Sequence, residues 1–235
     1  MVVGALLALL FVRLGMWQLD RLEERRAENA VIEARGSEQP RALEALIGQI
    51  GMEPSELVYR PAFVEGTYRT DLEFFSIGRT YGELSGTLVA TPLELADGSL
   101  LVVVRGIAPP GVGGPPATGF EPPRGNVRLV GRLDDGEEPS RLGESPPDDG
   151  VLTSLSRLDL AYIDEWIEGD VLPVSLLLDE QEPPSEVALE PIPPDELSEG
   201  SHLGYAVQWF AFAATVIVGV GILIWRAGSP RDEAS

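Results

Sequence analysis

Residues 202–209, His-Leu-Gly-Tyr-Ala-Val-Gln-Trp, begin the last apolar segment of the chain. The length and composition of this segment decide the fold class. No charged side chain occurs from Leu203 to Trp225. At about 1.5 Å of rise per residue, this stretch forms a helix of roughly 34 Å, enough to cross a hydrocarbon core of about 30 Å. The sequence therefore predicts a transmembrane helix over residues 202–226.

Polar and aromatic side chains are concentrated at the start of this segment. His202, the only histidine of the chain, is followed by Tyr205, Gln208 and Trp209. Helical spacing places His202, Tyr205 and Trp209 on one face, and the amide of Gln208 is deep enough in the segment to need a partner. A polar cluster in a membrane helix suggests a functional site. The alternatives are interface anchoring by the aromatic rings, helix–helix contact through the glutamine and a histidine that faces headgroups.

A second apolar segment covers residues 2–19 and is interrupted only by Arg13. A helix of roughly 27 Å is marginal for a crossing. Because the basic start and the small-residue cleavage site of a secretory signal are missing, we expect an uncleaved anchor, with a cleaved signal as the alternative. If both segments cross, the end of the first and the start of the second face the same side. Trp17 and Gln18 then lie level with His202, which predicts one site shared by two helices.

Composition excludes several classes of function. The chain carries 38 acidic residues against 17 basic ones, all arginine, and the excess of acid lies between the two apolar segments. Such a domain repels phosphate backbones, so we expect no nucleic-acid binding. The absence of cysteine excludes disulfides, thiolate nucleophiles and cysteine-ligated metals. With no lysine, a single histidine at the membrane and no phosphate-binding loop, we expect the protein not to be an enzyme.

The region between the apolar segments predicts a mainly β domain on a helical stalk. Residues 20–57 are expected to form a charged helix through Ala34 and a short helix over 41–50. The domain itself is expected over 58–178, because short runs of β-branched and aromatic residues alternate with turns. The predicted strands are 59–68, 73–79, 86–95, 100–106, 127–133 and 171–178.

The connections and one strand of this domain carry more specific signals. Asp97-Gly98 predicts a two-residue hairpin turn, and the continuous apolar run of 100–106 predicts a strand buried on both faces. Pro-Pro pairs and glycines make 108–125 a loop. The remaining features are an acidic loop at 134–150, a short helix at 159–168 with Asp159 as its N-cap, an acidic proline-rich linker at 179–201 and a tail at 227–235.

Four sequence blocks, taken together, resemble one known family. They are Leu-Gly-Met-Trp-Gln-Leu-Asp-Arg-Leu at 14–22, the stretch 59–68 with its Val-Glu-Gly-Thr-Tyr, Val-Val-Val-Arg-Gly at 102–106, and His-Leu-Gly-Tyr-Ala-Val-Gln-Trp-Phe-Ala-Phe-Ala at 202–213. In this order they are similar to the surfeit-locus cytochrome c oxidase assembly family of the Surf/Shy type. The chain departs from the family at Ile107-Ala108-Pro109, where members often have Trp-Val-Pro.

The resemblance implies an α+β membrane protein, with two transmembrane helices flanking a mainly β extracytoplasmic domain with short helices. It implies a bacterial cell membrane location, with both termini cytoplasmic. The implied role is haem a delivery or insertion into subunit I of cytochrome c oxidase. Subunit I, the haem a synthase machinery and the lipid bilayer are the expected partners.

The resemblance also assigns a residue to the haem. His202 matches a histidine implicated in haem a binding in bacterial members, and no metal other than haem iron is expected. Because the chain has one histidine and no cysteine, a second axial ligand would be absent, weakly supplied by Met16, or supplied by another chain. The alternative is a structural chaperone that binds no haem and docks oxidase subunits through the β domain, with His202 only a contact residue.

Overall fold

This computed structural model describes residues 2–81, 84–139, 147, 150–194 and 197–228. The chain divides into two compact units, which are treated separately. The first, called here the helical unit, consists of Met1–Glu33 and Leu197–Ser235. The second, called the barrel unit, consists of Ala34–Glu196.

The secondary structure follows the order of helix, mixed sheet and helix. The helices are α1 (Val2–Gly36), α2 (Leu43–Ile50), α3 (Pro54–Leu57), α4 (Leu160–Trp166) and α5 (His202–Gly228), with a 3-10 turn at Thr70–Leu72. The strands are β1 (Arg41–Ala42), β2 (Pro61–Tyr68), β3 (Phe74–Tyr81), β4 (Leu84–Glu94), β5 (Leu100–Ala108), β6 (Asn126–Asp134), β7 (Ser154–Leu155) and β8 (Val171–Glu182).

The helical unit is an antiparallel pair formed by α1 and α5. Both helices are long and apolar enough to cross a membrane, which agrees with the two predicted spans. The direction of the pair follows from its contacts, since Gly4 approaches Val220 at one end and Gly15 approaches Phe210 further along. Helix α5 begins at His202 and α1 continues to Gly36, close to the predicted limits.

The barrel unit contains a five-stranded barrel with Greek-key connectivity. Strands β2, β4 and β5 follow one another, β6 returns to pair with β2, and β8 inserts between β6 and β5. The pairing of β8 with β5 is parallel, whereas the other contacts within the barrel are antiparallel. Only two residue pairs join β2 to β4, so the barrel is partly open, an architecture also found in OB-folds.

The central strand β5 is buried along its whole length, as the apolar run predicts. Leu101 and Val103 face the barrel interior, a core closed by Leu43 and Leu46 of α2. The alternating residues Leu100, Val102 and Val104 face a second core that also includes Ile163 of α4. Because a strand directs successive side chains to opposite faces, burial on both faces requires a continuous apolar run.

Several predicted boundaries change in the structure. The linker predicted from residue 179 begins later, because β8 pairs with β6 as far as Glu182. The short helix begins at Leu43, since Arg41–Ala42 pair with β2 instead. The Asp97-Gly98 turn is present but has three residues rather than two, because the Leu95 amide donates to the Ser99 carbonyl at 2.9 Å.

Two further predictions concern the ends of the domain. Helix α4 is shorter than 159–168, but its predicted cap is confirmed: the Tyr162 amide donates to Oδ1 of Asp159 at 3.1 Å. Most of the acidic loop predicted at 134–150 and of the tail at 227–235 lies outside the described residues.

Candidate functional site between the two long helices

Close packing of α1 and α5 depends on a glycine and a set of aromatic rings. A Cβ added to Gly15 would lie 2.7 Å from the ring of Phe210, so a larger residue would separate the helices. One turn along α1, the ring of Phe11 stacks on Trp209 at 5.7 Å between centroids and contacts Phe212 at the same distance. Small residues that admit rings in this way are a common means of bringing membrane helices together.

The polar centre of the helical unit is a contact between Gln18 and His202. Oε1 of Gln18 lies 2.9 Å from Nδ1 of His202, and Gln18 is only 9% exposed although it is polar. An amide oxygen only accepts hydrogen bonds, so Nδ1 carries the proton in this contact. The lone pair of the neutral imidazole is then on Nε2. A lone pair on Nε2 is what an imidazole needs in order to bind a metal ion, and the contact with Gln18 favours this tautomer.

The residues before α5 set the position of the imidazole. His202 is the first residue of the helix, and the Tyr205 amide donates to the Ser201 carbonyl in its first turn at 3.0 Å. Gly200 has φ +64°, and a Cβ added there would lie 3.4 Å from the His202 ring. A left-handed residue at this position is best supplied by glycine. The histidine is therefore placed by a sharp change of chain direction at the mouth of the helix.

An arginine pair on α1 holds the segment that leads into α5. Arg26 makes two hydrogen bonds to the carboxylate of Glu199, at 2.8 and 2.9 Å, and Arg25 donates to the Ser198 carbonyl at 3.4 Å. The hydrogen bond from Arg26 lowers the pKa of Glu199, and the same bond raises the pKa of Arg26. The sequence predicted only a charged helix for these arginines, and their position just after the first apolar segment is the signal of a further role.

The predicted interhelix residues are only partly brought together. Gln18 meets His202, and Trp209 meets Phe11. Trp17 and Tyr205 are about half exposed, at 49% and 50%. Gln208, predicted to need a partner, lies on the exposed side of α5, two residues from the buried Ala206 and therefore about 200° around the helix from it. The polar side chain of α5 that contacts Gln18 is therefore His202 and not Gln208.

Met16, considered as a weak iron ligand, lies beside the buried face of α1 rather than on it. Its side chain is 46% exposed, whereas Gly15 and Gln18 on either side of it along the chain are buried. Across the described part of the chain, no group of three or more His, Asp or Glu side chains is close enough to hold a metal ion. His202 is the single histidine of the sequence, and it lies in the helical unit.

The barrel unit contains a separate buried ion pair that sequence analysis did not predict. Arg105 is the extra residue of a β-bulge in β5, opposite the Val89–Ala90 step of β4, and its side chain is 3% exposed. Its guanidinium contacts Oε2 of Glu73 at 3.1 Å and donates to the Phe120 carbonyl. Burial lowers the pKa of Arg105, against the opposing effect of Glu73.

The carboxylate of Glu73 connects the barrel to the proline-rich loop. It accepts from the Thr91 hydroxyl at 2.7 Å and from the Ala117 amide at 2.6 Å. With the contact from Arg105 to Phe120, the loop 108–125 is held at two points. A groove of about 760 Å³ lies beside it, lined by prolines of the loop and by Thr67, Asp71 and Glu121. Both carboxylate oxygens of Glu73 accept hydrogen bonds from the protein, so we interpret its pair with Arg105 as structural rather than as a ligand site.

Sequence comparison with known proteins finds relatives over nearly the whole chain. An uncharacterized SURF1-like protein of Mycobacterium tuberculosis is 25% identical over 99% of this chain and 88% of its own length. A SURF1-like protein of Monosiga brevicollis is 26% identical over 93% of this chain and 85% of its own. The SURF1 family model matches residues 5–214, which include both Gln18 and His202. On this evidence the chain belongs to the SURF1 family.

Proposed function

We propose that the protein is a membrane-bound assembly factor for cytochrome c oxidase, which assists the delivery of haem a or its insertion into subunit I. Membership of the SURF1 family is consistent with a role in oxidase assembly. Two helices that are long and apolar enough to cross a membrane are consistent with a membrane protein. In the proposed topology both termini are cytoplasmic, and the barrel unit is outside the cell membrane.

The observation that carries the haem proposal is the contact between Gln18 and His202. The residues fit the group in one respect that can be tested: the imidazole has Nδ1 occupied by an amide oxygen, so Nε2 is the nitrogen with a lone pair for iron. His202 would hold the haem iron, and Gln18 would orient the ring. The bound haem a supplies the iron chemistry of the mature oxidase, whereas this chain binds and releases it.

A single protein ligand suits a carrier. Where the surrounding contacts are equal, haem held by one imidazole lacks the stabilisation that a second bond from protein to iron would add. Weak binding lets the cargo pass to a site that supplies more ligands. We therefore expect partial haem occupancy after purification.

The test is an absorption spectrum of the full-length protein purified from cells that make haem a. We expect a Soret band in the wild type that falls at least tenfold in His202→Ala. The band is normalised to the abundance of the protein in the membrane, because His202→Ala also leaves the buried amide oxygen of Gln18 without its partner. An unchanged band at normal abundance would remove His202 from haem binding.

The proposed topology has its own test. Alkaline phosphatase fused after Pro194, beyond the last strand of the barrel unit, should be active because that point lies outside the cell membrane. The same enzyme fused after Ser235 should be inactive. The reverse pattern would place the barrel unit in the cytoplasm and contradict the proposed localisation.

A structural chaperone without haem is the second candidate, and the groove of the barrel unit favours it. The groove has apolar proline walls beside Thr67, Asp71 and Glu121, and a buried ion pair holds its loop in place. An oxidase subunit could dock there with no contribution from His202. This function would replace haem delivery if the His202→Ala variant supports oxidase assembly normally and the wild-type protein carries no Soret band.

A further inference from the structure

Arg13 is a charged residue in an otherwise apolar half of α1. No other charged side chain occurs among residues 2–19. The Arg13 side chain is exposed, and among the residues that the structure describes it has no hydrogen bond or ion pair. An ionisable residue at membrane depth is costly and typically has an interaction partner. The described residues of this chain do not supply one for Arg13.

The side of α1 that carries Arg13 is opposite the side that packs on α5. The buried residues of α1 are Ala8, Gly15, Gln18 and Leu22. At about 100° per residue, their mean direction lies roughly 175° from that of Arg13. Leu6 and Leu9 lie within about 40° of Arg13 and are 60% and 66% exposed. Arg13 therefore cannot serve the Gln18–His202 contact, and it points away from the partner helix.

Depth and direction argue against simple solvation of the guanidinium by headgroups. The nearest charged residue toward the stalk is Asp20, seven residues or about 10.5 Å along the axis. In a helix the Cα–Cβ bond is tilted toward the amino terminus. The Arg13 side chain therefore leans away from Asp20 and toward the apolar stretch 2–12. Reaching the nearer headgroups requires the side chain to turn back against this direction.

We propose that Arg13, with Leu6, Leu9 and Trp17 around it, forms a docking surface for a helix of another integral membrane protein. This surface is called here the Arg13 face, and the inference rests on the membrane insertion in the proposed function. Charge complementarity identifies the occupant as a transmembrane segment that carries an Asp or Glu at the depth of Arg13. A second copy of this chain does not fit, because residues 2–19 and 202–226 contain no acidic side chain.

The test uses the full-length protein in native membranes, with the photo-crosslinker p-benzoylphenylalanine in place of Leu9. After irradiation, crosslinked peptides are identified by mass spectrometry, and each adduct is normalised to the amount of this protein. We expect an adduct with an apolar segment that contains a carboxylate. It should fall at least tenfold in Arg13→Leu and persist in Arg13→Lys. Exchanging the charges, with Arg13→Glu here and Arg at the partner's carboxylate, should restore it.

A matched probe and three contrary outcomes make the test decisive. The same crosslinker in place of Ile217, which is 60% exposed on α5, should give adducts that do not respond to Arg13→Leu. An adduct at Leu9 that survives Arg13→Leu, adducts with lipid alone, or no adduct would overturn the proposal.

The haem proposal is tested separately in the same strains. Arg13→Leu should keep the wild-type Soret band because it lies on the opposite face from His202. His202→Ala should keep the adduct at Leu9. Absence of the Soret band alone from the wild type would count against the haem proposal. Absence of the Leu9 adduct alone from the wild type would count against the docking proposal.

Discussion

Nδ1 of His202 lies 2.9 Å from Oε1 of Gln18 across the interface of α1 and α5, although the two residues are 184 positions apart in the chain. The contact joins two of the sequence blocks on which the family resemblance depends. In this contact the glutamine of the first block accepts a hydrogen bond from the ring of the last. Gln18 is therefore a positioning residue, and any iron ligand would be Nε2 of His202.

Gln18→Leu should weaken haem binding by about 10- to 100-fold, because partners that orient a ligating histidine typically contribute this much to metal affinity. Gln18→Glu should retain binding, since a carboxylate also accepts from Nδ1. Haem titration of the purified full-length proteins, read from the Soret band, distinguishes the two variants. Equal affinity in Gln18→Leu and the wild type would show that the contact only joins the helices.

Gly15→Leu should separate α1 from α5, because even a Cβ at this position would lie 2.7 Å from the Phe210 ring. Gly204 provides a matched control, since a Cβ there meets no atom within 4 Å. The chain has no cysteine, so a short bifunctional thiol crosslinker between Cys residues introduced at Gln18 and His202 reports the helix pair directly. We expect Gly15→Leu to reduce the yield several-fold, Gly204→Leu to leave it unchanged, and Phe210→Ala to restore it in the Gly15→Leu background.

Local patterns in the sequence predicted most elements but not their arrangement. Hydropathy defined both long helices, and the apolar run 100–106 identified the strand with two buried faces. The return of β6 to β2 and the parallel pairing of β8 with β5 were not predicted, because neither depends on neighbouring residues. The two-residue strands β1 and β7 are too short to have a pattern of their own.

The candidate site shows the same limit. The sequence predicted that Gln18 and the start of α5 lie at the same depth in the membrane. It did not predict the rotation of each helix about its axis, because residue spacing does not determine it. Packing of Phe210 on Gly15 sets that rotation, turns Gln208 outward and leaves Gln18 opposite His202. The ion pair of Glu73 with Arg105, 32 residues apart, was missed because charged residues near turns usually face solvent.

Arg105→Met should destabilise the barrel unit by about 3–5 kcal/mol, because it leaves the carboxylate of Glu73 buried without its cation. Adding Glu73→Gln should recover part of this loss, since the carboxylate charge is removed while a polar group remains for Thr91 and Ala117. Hydrogen exchange of the β4 and β5 amides in the full-length protein, measured as a function of urea, gives both free energies. Additive losses in the double variant would indicate that the two side chains are not energetically coupled.

Gly106→Ala should cost at least about 2 kcal/mol of barrel stability. Gly106 has φ +141°, and a Cβ there would lie 2.5 Å from the Glu190 carbonyl oxygen. Backbone strain and collision with backbone act together, so the neighbouring chain cannot relax easily. Gly114→Ala in the proline-rich loop is the control, since that position is open and its backbone is ordinary. Similar exchange of the β5 amides in both variants would contradict the close approach of β5 to residue 190.

Acidification should release the segment that leads into α5. The hydrogen bond from Arg26 lowers the pKa of Glu199 below its ordinary 4.5, so the ion pair is fully formed above that pH. A carboxylate with a depressed folded pKa contributes stability that is lost as the pH falls through that pKa. Below pH 4.5 we therefore expect faster exchange of the Gly200 and Tyr205 amides, after correction for intrinsic rates.

Glu199→Gln should show the faster exchange at neutral pH and no further change on acidification. Glu28→Gln, which removes a carboxylate paired with Arg25 within α1, should behave as the wild type. A wild-type pH profile in Glu199→Gln would show that another group holds this segment.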